Sequence, residues 1–303
     1  MKLHGLIAAT YTPMREDGSV NLELIPPMIN WMIERGAAGF YVCGSTGEGP
    51  SLTVEERKAV AEVSVDAVSG RKPVVVQVGS NSLPTASELA RHAAEVGADA
   101  ISAVPPYYFK PGSLQQLVEF LNPICQAAPS LPFYYYNIPK LTGVHFDMVE
   151  FLELAGEQLP NLAGIKYSDT DLADFKSCME VDEDRFDLPF GSDQMLLGAL
   201  AMGAKGAVGS CYSFAAPLWN RIITAFEAGN NASALKHQSD ATRLVRFLAK
   251  SPGSFQAMVK QVVFPSLGFD VGSLRPPQPR LTSEQVAEGK ARWTEQEFDK
   301  LIR

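Results

Sequence analysis

Lys166 stands at the end of a short apolar run and directly before a polar cluster, a position from which a lysine could carry out covalent chemistry. Residues 161–166 read Asn-Leu-Ala-Gly-Ile-Lys, and residues 167–171 read Tyr-Ser-Asp-Thr-Asp. The run predicts a buried strand, and the cluster predicts a helix start. Because burial disfavours the charged form of a lysine, its pKa falls and the neutral amine can attack a carbonyl carbon. The pattern indicates either a Schiff-base lysine or, equally well on this ground alone, a lysine that extends from a strand end into solvent.

A tyrosine, Tyr136, occupies the corresponding place thirty positions earlier. Residues 133–139 read Phe-Tyr-Tyr-Tyr-Asn-Ile-Pro, which predicts a second buried strand that ends near this phenol. A phenol beside a nucleophilic amine can transfer protons to and from a reacting group. Lys166 and Tyr136 together therefore predict Schiff-base chemistry with a tyrosine acid/base, whereas the structural alternative is a core aromatic beside a strand-end lysine.

The elements that would position these residues alternate regularly along the chain. Strand patterns occur near residues 6–12, 38–43, 73–78, 99–104, 132–136, 162–166, 187–191 and 206–209. The helical patterns between them are long enough for parallel crossover connections. Eight strand–helix units within about 230 residues predict an α/β fold of the (β/α)₈ TIM barrel type. A doubly wound sheet is disfavoured, because no G-x-G-x-x-G sequence follows the first strand.

The sequence also predicts where several helices begin and where the alternation of strands and helices stops. Capping-box sequences occur at residues 53–56, 85–88, 113–116 and 282–285. Beyond residue 230 the strand patterns stop, and three helices are predicted over 231–250, 254–264 and 283–302. These are too few and too short for a separate core. We expect a barrel over residues 1–230 and a helical extension over 231–303 that packs on it.

In a barrel of this type, the loops that follow the strands all emerge on one face, where active sites are built. Chemically capable residues follow most of the predicted strands. They comprise Gly-Ser-Thr-Gly-Glu-Gly at 44–49, Pro-Pro-Tyr-Tyr at 105–108, Tyr136, Lys166, Gly-Ser-Asp-Gln at 191–194 and Gly-Ser-Cys at 209–211. Because so many residues of this kind are expected on one rim of the barrel, we predict a single active site there.

Composition excludes several classes of function. The formal net charge is −8 with a sequence pI of about 5.1, which argues against nucleic acid and anionic membranes as partners. No apolar run approaches the ~18 residues of a membrane span, and the N-terminus has no signal-peptide pattern. The four cysteines form no C-x-x-C pair, and the four histidines have no metal-ligand spacing. These features predict a reduced, cytoplasmic protein without a metal.

Five segments resemble the dihydrodipicolinate synthase/N-acetylneuraminate lyase family of pyruvate-dependent class I aldolases. They are residues 5–14, 44–57 (GSTGEGPSLTVEER), 134–144 (YYYNIPKLTGV), 164–175 (GIKYSDTDLADF) and 197–210 (LGALAMGAKGAVGS). Together they are highly specific, and the similarity continues less specifically beyond residue 210. The resemblance implies a TIM barrel, a keto acid substrate, no metal or organic cofactor, and a homotetramer. It is strongest to the animal-type sialic-acid lyases.

The same resemblance implies roles for individual residues. Lys166 would form the imine with the ketone carbon, and Tyr136 would transfer the proton. Tyr108 matches a tyrosine that enters a neighbouring subunit's site, although a surface or interface aromatic is an equal alternative. Substrate-binding positions are implied at Ser45 and Thr46 for the carboxylate, and at Ser168, Gly191, Asp193, Gln194, Gly209 and Ser210 for the rest of the substrate.

Two departures from the family pattern bear on the substrate. Leu141 stands where the synthases have an arginine for a second carboxylate, which favours a lyase. Gln194 stands where the sialic-acid lyases have an acidic residue, and an amide still accepts hydrogen bonds but carries no charge. The implied reaction is cleavage of N-acetylneuraminate to N-acetylmannosamine and pyruvate. The alternatives are another 2-keto-3-deoxy acid aldolase or dehydratase, the synthase reaction, and a barrel that binds keto acids without turnover.

Overall fold

Seven parallel strands form a curled sheet in the computed structural model, which describes residues 2–303. The strands are β1 (Gly5–Ala9), β2 (Gly39–Val42), β3 (Val74–Gln77), β4 (Ala100–Ala103), β5 (Phe133–Asn137), β6 (Leu162–Tyr167) and β7 (Gly206–Gly209). Their order in the sheet is β6-β5-β4-β3-β2-β1-β7, so sequential strands lie side by side. Helices connect them as the alternating pattern predicts.

An extended segment between β6 and β7 closes the ring, but it is not a regular strand. The backbone N–H groups of Asp187 and Gly191 donate to β6 at 2.8 and 2.6 Å, and that of Phe190 donates to Gly206 at 3.0 Å. Pro189 lies between these donors and has no N–H, which interrupts the ladder. The (β/α)₈ barrel is confirmed, whereas the prediction of a regular strand over 187–191 is wrong for this reason.

The helices surround the barrel and continue beyond it. Those of the barrel region are α1 (Ile25–Glu34), α2 (Val54–Val68), α3 (Leu83–Glu95), α4 (Leu114–Ala127), α5 (Pro139–Thr142), α6 (Met148–Gln158), α7 (Leu172–Met179), α8 (Leu196–Met202) and α9 (Tyr212–Glu227). The later ones are α10 (Asn231–Lys250), α11 (Phe255–Met258), a π-helical turn (Val259–Val263), α12 (Phe264–Ser266), α13 (Ser283–Glu295) and α14 (Phe298–Leu301). None of the helices within residues 2–303 is long and apolar enough to cross a membrane.

Two of the four predicted capping boxes form in full. Thr53 and Thr282 each accept a hydrogen bond from the third residue of their helix, whose side chain bonds back to the cap. At Ser113 only the first bond forms, because the Gln116 side chain accepts from Gly112 N instead. These bonds satisfy N–H groups that a helix start leaves without partners.

The predicted start at residue 85 is wrong. Helix α3 begins at Leu83, and Ser82 caps it by accepting from Thr85 N at 3.4 Å. Pro84 suits the first turn, because its φ is preset and the missing N–H is not needed there. Glu88 pairs with Lys58 of α2 instead of with a cap.

Apolar side chains form two cores, one inside the barrel and one between the barrel and its helices. Neighbouring residues of a strand point to opposite sides, so in β2 Phe40 packs outward and Tyr41 packs inward. The inner cluster comprises Leu3, Ile7, Ala9, Tyr41, Val75, Ala100, Val104, Tyr134, Tyr136 and Val208. The barrel is thus filled, and a pocket opens above this filling at the end near Tyr136.

The C-terminal helices pack on the barrel rather than apart from it. Helix α10 makes its most extensive contacts with α9, and the buried Lys260 of the π-helical turn reaches a barrel loop. The predicted helix over 283–302 is broken, because Glu297 adopts a left-handed conformation with φ of 55°. The division into residues 1–230 and 231–303 stays a prediction.

Candidate active site

A pocket of about 210 Å³ opens at the carboxyl end of the strands. It brings together residues from both halves of the barrel and one from α10. Its lining comprises Ala9, Thr46, Tyr136, Lys166, Gly191, Ser192, Asp193, Gln194, Val208, Gly209, Ser210 and Val245. Most of the predicted site residues therefore share one cavity.

Lys166 lies at the floor of this pocket with 4% of its surface exposed. Its Nζ is 3.7 Å from the centre of the Tyr41 ring and 3.8 Å from the centre of the Tyr136 ring. Burial lowers the pKa of Lys166 well below its ordinary value, and the negative charge of Asp193 opposes this only in part. The alternative of a solvent-extended lysine is wrong, because the strand end lies under the pocket and not at the surface.

Tyr136 faces Lys166 across neighbouring strands. The two residues are partners in the β5–β6 register, so their side chains leave the sheet side by side. Burial raises the pKa of Tyr136, while the nearby Ser45 and Ser168 hydroxyls partly lower it. The phenol therefore keeps its proton at rest and lies next to hydroxyls that can pass a proton on.

The loop after β2 is held in a strained conformation on both sides of Ser45 and Thr46. Cys43 and Glu48 both have φ of 58°, a left-handed conformation that is uncommon for residues other than glycine. A side chain at Gly49 would lie 1.9 Å from the Cys43 carbonyl oxygen, so only glycine fits there.

Thr46 takes part in a polar corner of the pocket. Its hydroxyl shares a hydrogen bond of 2.6 Å with that of Ser210, which follows β7. On the other side of the loop, Thr12 Oγ1 donates to the Gly47 carbonyl at 2.6 Å. Hydroxyls and backbone amides of a glycine-flanked loop suit an anionic ligand group such as a carboxylate.

Glu48 has a structural role in the loop after β2. Lys260 Nζ donates to its Oε1 at 2.8 Å, and neither side chain has any exposed surface. Arg275 N donates to Oε2 at 2.8 Å, and Lys260 also donates to the Thr12 carbonyl at 2.9 Å. Both charges are thus paired and hydrogen-bonded, the condition under which burial of charge is tolerated. The loop that carries Ser45 and Thr46 is anchored to the C-terminal region.

Two glycines of the rim allow close approach of neighbouring side chains. An added Cβ at Gly191 would lie 1.9 Å from Ser168 Oγ, and one at Gly209 would lie 1.8 Å from Asp193 Oδ1. Ser168 Oγ is buried and makes no direct hydrogen bond within residues 2–303, although it lies near enough to the Tyr136 phenol to lower the pKa of that group, so it can bind a ligand hydroxyl.

Asp193 is fixed by backbone contacts. Cys211 N donates to its Oδ2 at 2.8 Å, and Trp219 Nε1 donates to its carbonyl at 2.7 Å. Burial raises the pKa of the carboxyl, and the hydrogen bonds from Cys211 and the charge of Lys166 partly offset this. The Asp193 carboxylate is therefore a hydrogen-bond acceptor with a fixed position, in the same pocket as Lys166.

Gln238 of α10 holds the segment that carries Asp193 and Gln194. Its Oε1 accepts from Leu197 N at 2.9 Å, and its Nε2 donates to the Gln194 carbonyl at 3.0 Å. One side-chain amide thus joins the short 3₁₀ turn at 193–195 to the first turn of α8. Gln194 itself is exposed at the mouth of the pocket.

Tyr108 does not enter the pocket of its own chain. It is 77% exposed beside Phe109, which is 86% exposed, and Asn81 Oδ1 accepts from its backbone N–H at 3.0 Å. Leu141 on α5 is 64% exposed and does not line the pocket either. The role of Tyr108 in another subunit stays a prediction.

Sequence reasoning missed several residues of the site. Tyr41 could have been found from the alternation of β2, which points it inward beside Tyr136. Ser192 lies within a segment that was singled out. Val245 and Gln238 could not be found, because no local pattern places an α10 side chain over a barrel rim. Among residues 2–303, no group of histidine, cysteine, aspartate and glutamate side chains is arranged to hold a metal ion.

Comparison with known proteins gives a consistent result. Residues 2–295 match the dihydrodipicolinate synthetase family. The chain is 40% identical over 294 residues to the N-acetylneuraminate lyase of Rattus norvegicus, which covers 96% of this chain and 92% of the relative. The structure is similar to the N-acetylneuraminate lyase (sialic acid aldolase) of Aliivibrio salmonicida, with a TM-score of 0.94, 40% identity and 98% of each chain covered. It is similar to the Proteus mirabilis N-acetylneuraminate lyase, with a TM-score of 0.94, 38% identity, and 98% and 100% covered.

Proposed function

The chain belongs to the dihydrodipicolinate synthetase family, and on that basis we propose that it is a class I aldolase that cleaves N-acetylneuraminate to N-acetylmannosamine and pyruvate. The observation that carries the proposal is the buried amine of Lys166 beside the Tyr136 phenol, on the floor of a polar pocket. Identity of about 40% over nearly the whole chain to N-acetylneuraminate lyases supports the choice of substrate.

The first step uses the neutral form of Lys166. The open-chain keto form of the substrate enters, and the amine attacks its ketone carbon. One proton is taken up from solvent, water leaves, and the nitrogen becomes that of a protonated imine. Burial favours this step because it lowers the pKa of Lys166 and so raises the fraction of neutral amine. We assign the substrate carboxylate to Ser45 and Thr46, where the polar corner supports an anionic group.

The second step breaks the C3–C4 bond of the substrate. The C4 hydroxyl loses its proton, the electrons of the bond move toward the positively charged imine, and N-acetylmannosamine leaves. The nitrogen then belongs to an enamine, which takes up a proton at C3, and hydrolysis returns pyruvate and Lys166. We assign the proton transfer to Tyr136. As its phenol takes the proton of the C4 hydroxyl, its own proton passes by way of the Ser45 hydroxyl to the bound substrate carboxylate, and it returns by the same route to protonate C3 of the enamine.

The rest of the substrate would lie along the 191–194 rim. Asp193 offers a fixed acceptor, and Ser168 offers an unpartnered hydroxyl. Gly191 and Gly209 leave room for the close approach of Ser168 and Asp193, and Ser210 and Gln194 also line the pocket. We assign these residues to the hydroxyl groups of the sugar chain, because hydroxyls need partners when buried.

The synthase reaction is disfavoured by Leu141. An aliphatic side chain offers no partner for the second carboxylate that the arginine of the synthases binds. Leu141→Arg should raise condensation of pyruvate with aspartate semialdehyde and impair sugar cleavage. Cleavage of other 2-keto-3-deoxy acids is the remaining candidate, and the exposed Gln194 is the feature that keeps it open.

We propose a homotetramer in the cytoplasm in which Tyr108 enters the site of a neighbouring subunit. The exposed pair Tyr108 and Phe109 supports this, because exposed aromatic patches are typical of interaction surfaces.

Pyruvate release from a panel of 2-keto-3-deoxy acids that includes N-acetylneuraminate tests the substrate. The expected result is that N-acetylneuraminate is cleaved with the highest kcat/KM. Efficient cleavage of shorter acids with none of N-acetylneuraminate would reject the lyase and leave the aldolase chemistry. Borohydride reduction with pyruvate should leave a stable adduct on Lys166, and an adduct on another lysine would reject the mechanism.

A further inference from the structure

Tyr41 packs directly against the reacting nitrogen, and neither the family motifs nor the proposed reaction gives it a role. It comes from β2, points into the barrel and is 1% exposed. The centre of its ring is 3.7 Å from Lys166 Nζ, and it meets the Tyr136 ring edge-on at 5.6 Å. Nζ therefore lies between two aromatic rings.

The position of this ring is fixed from several sides. Its hydroxyl donates to Ser102 Oγ at 3.0 Å, and Ser102 Oγ donates in turn to the Tyr134 carbonyl at 2.8 Å. The chain after β2 crosses the edge of the ring at Gly44, where an added Cβ would lie 2.7 Å from Tyr41 Cε1. Because the hydroxyl is engaged with Ser102, Tyr41 meets the lysine through the face of its ring.

Apart from the two rings, of which that of Tyr136 belongs to the proposed proton-transfer residue, stabilisation of a charge at Nζ is weak. Within residues 2–303, Nζ has no hydrogen bond or ion pair at contact distance, and the nearby carboxylate of Asp193 acts from across the pocket. A cation over the face of an aromatic ring is attracted by the ring quadrupole, most strongly where water is excluded. Burial also raises the pKa of Tyr41 well above its ordinary value, so its phenol stays neutral.

We propose that the ring of Tyr41 is a catalytic group that stabilises the positive charge on the nitrogen of the protonated imine. The inference rests on the proposed function, in which Lys166 forms that imine. The neutral amine gains little from the ring, whereas the iminium gains the full attraction. Tyr41 thus favours the state that withdraws electrons from the breaking bond, and it does so without hydrogen bonding to the substrate. Its loss should lower the imine population and kcat by about tenfold.

A ring-fluorination series tests this without changing the shape of the core. Tyr41→Phe is the matched control, because it keeps the ring face and removes only the bond to Ser102. Phenylalanine analogues with one, two and three ring fluorines at position 41 weaken the quadrupole stepwise at nearly constant volume. The measurements are the fraction of chain trapped by borohydride with pyruvate, kcat for N-acetylneuraminate, and the melting temperature.

The expected result is a stepwise fall of trapping and kcat with each fluorine, to about tenfold below Tyr41→Phe, at an unchanged melting temperature. Tyr41→Leu should fall at least as far, with the remaining adduct still on Lys166. Trapping and kcat that stay within about twofold across the fluorinated series would overturn the proposal and leave Tyr41 as packing. A native chain that forms no adduct on Lys166 would instead overturn the proposed function, so the two failures are distinguishable.

Discussion

The floor and the rim of the pocket are built in different ways. The floor is made of strand residues, and both Lys166 and Tyr136 are 4% exposed there. The rim at 191–194 is an irregular segment with the exposed Gln194 at its mouth, and Gln238 of α10 holds it from outside the barrel. Strand ends fix the groups that react, whereas a loop braced by a later helix forms the wall assigned to the sugar chain.

We therefore expect the floor to determine the rate of the chemical steps and the rim to determine which substrates bind well. A change in the floor should alter kcat for every keto acid, because each one would form the same imine. A change in the rim should alter KM for long substrates and spare short ones that do not reach it. The loop at 44–49 belongs to both, since we assign the carboxylate of every keto acid to it and it is braced from the C-terminal region.

Lys166→Ala is expected to have the largest effect, because no imine can form without the amine. Turnover and the borohydride adduct should both fall below detection. The fold should survive, because a buried lysine contributes little to stability. Lys205→Ala, at an exposed lysine outside the pocket, is the control and should match the native chain. Residual adduct formation in Lys166→Ala would show that another amine reacts.

Tyr136→Phe should lower kcat by about 10²–10⁴-fold for long and short substrates alike, as expected for a proton-transfer group. Tyr135→Phe removes a phenol from the same strand on its outer side and should leave kcat unchanged. Steady-state kinetics on both substrates measure the effect. A Tyr136→Phe variant with near-native kcat would move the proton transfer to another group.

Lys260→Met should destabilise the fold by about 3–5 kcal/mol, because it leaves the Glu48 carboxylate buried without its partner. It should also raise KM for every keto acid, since the loop with Ser45 and Thr46 loses its anchor. Urea denaturation and kinetics measure the two effects. The double variant Glu48→Gln, Lys260→Met should recover part of the stability. An unchanged KM in Lys260→Met would show that the loop keeps its shape unaided.

Gln238→Leu should raise KM for N-acetylneuraminate by about tenfold while KM for a short 2-keto-3-deoxy acid stays near native. The side chain joins Leu197 N to the Gln194 carbonyl, and lost partners of this kind are worth about 1–3 kcal/mol. Ser239→Ala, at an exposed neighbour on α10, is the control. Equal losses for long and short substrates would contradict the separation of floor and rim.

Gln194→Glu should have the smallest effect, a change of a few-fold in KM for N-acetylneuraminate with little change for shorter acids. The side chain is exposed, so solvent screens the added charge. Competition between N-acetylneuraminate and a short keto acid in one assay measures the preference directly. A larger shift for the short acid would place Gln194 nearer the reacting carbon than the rim assignment allows.

The sequence was sufficient for the barrel and for most of the pocket, because both depend on local patterns. Alternating strands place Lys166 and Tyr136 at neighbouring strand ends, and loops after strands share one face. The closing segment at 187–191 differed from the predicted strand because Pro189 removes a ladder hydrogen bond, and the apolar pattern alone does not reveal this loss. The positions of Val245 and Gln238 at the pocket could not be predicted from the sequence, since the docking of α10 depends on tertiary packing rather than on periodicity.

The ion pair between Glu48 and Lys260 sets an order of events during synthesis. The two residues are separated by 212 positions, so most of the chain must be synthesised before the loop at 44–49 can be anchored. A nascent chain that ends at residue 230 would contain Lys166 and Tyr136, but its loop at 44–49 would lack the anchor that Lys260 provides. If the C-terminal helices of two related barrels were exchanged, Lys260, which anchors the loop at 44–49, would be exchanged with them. Val245 and Gln238 of α10, which lie at the pocket and behind its rim, would be exchanged as well.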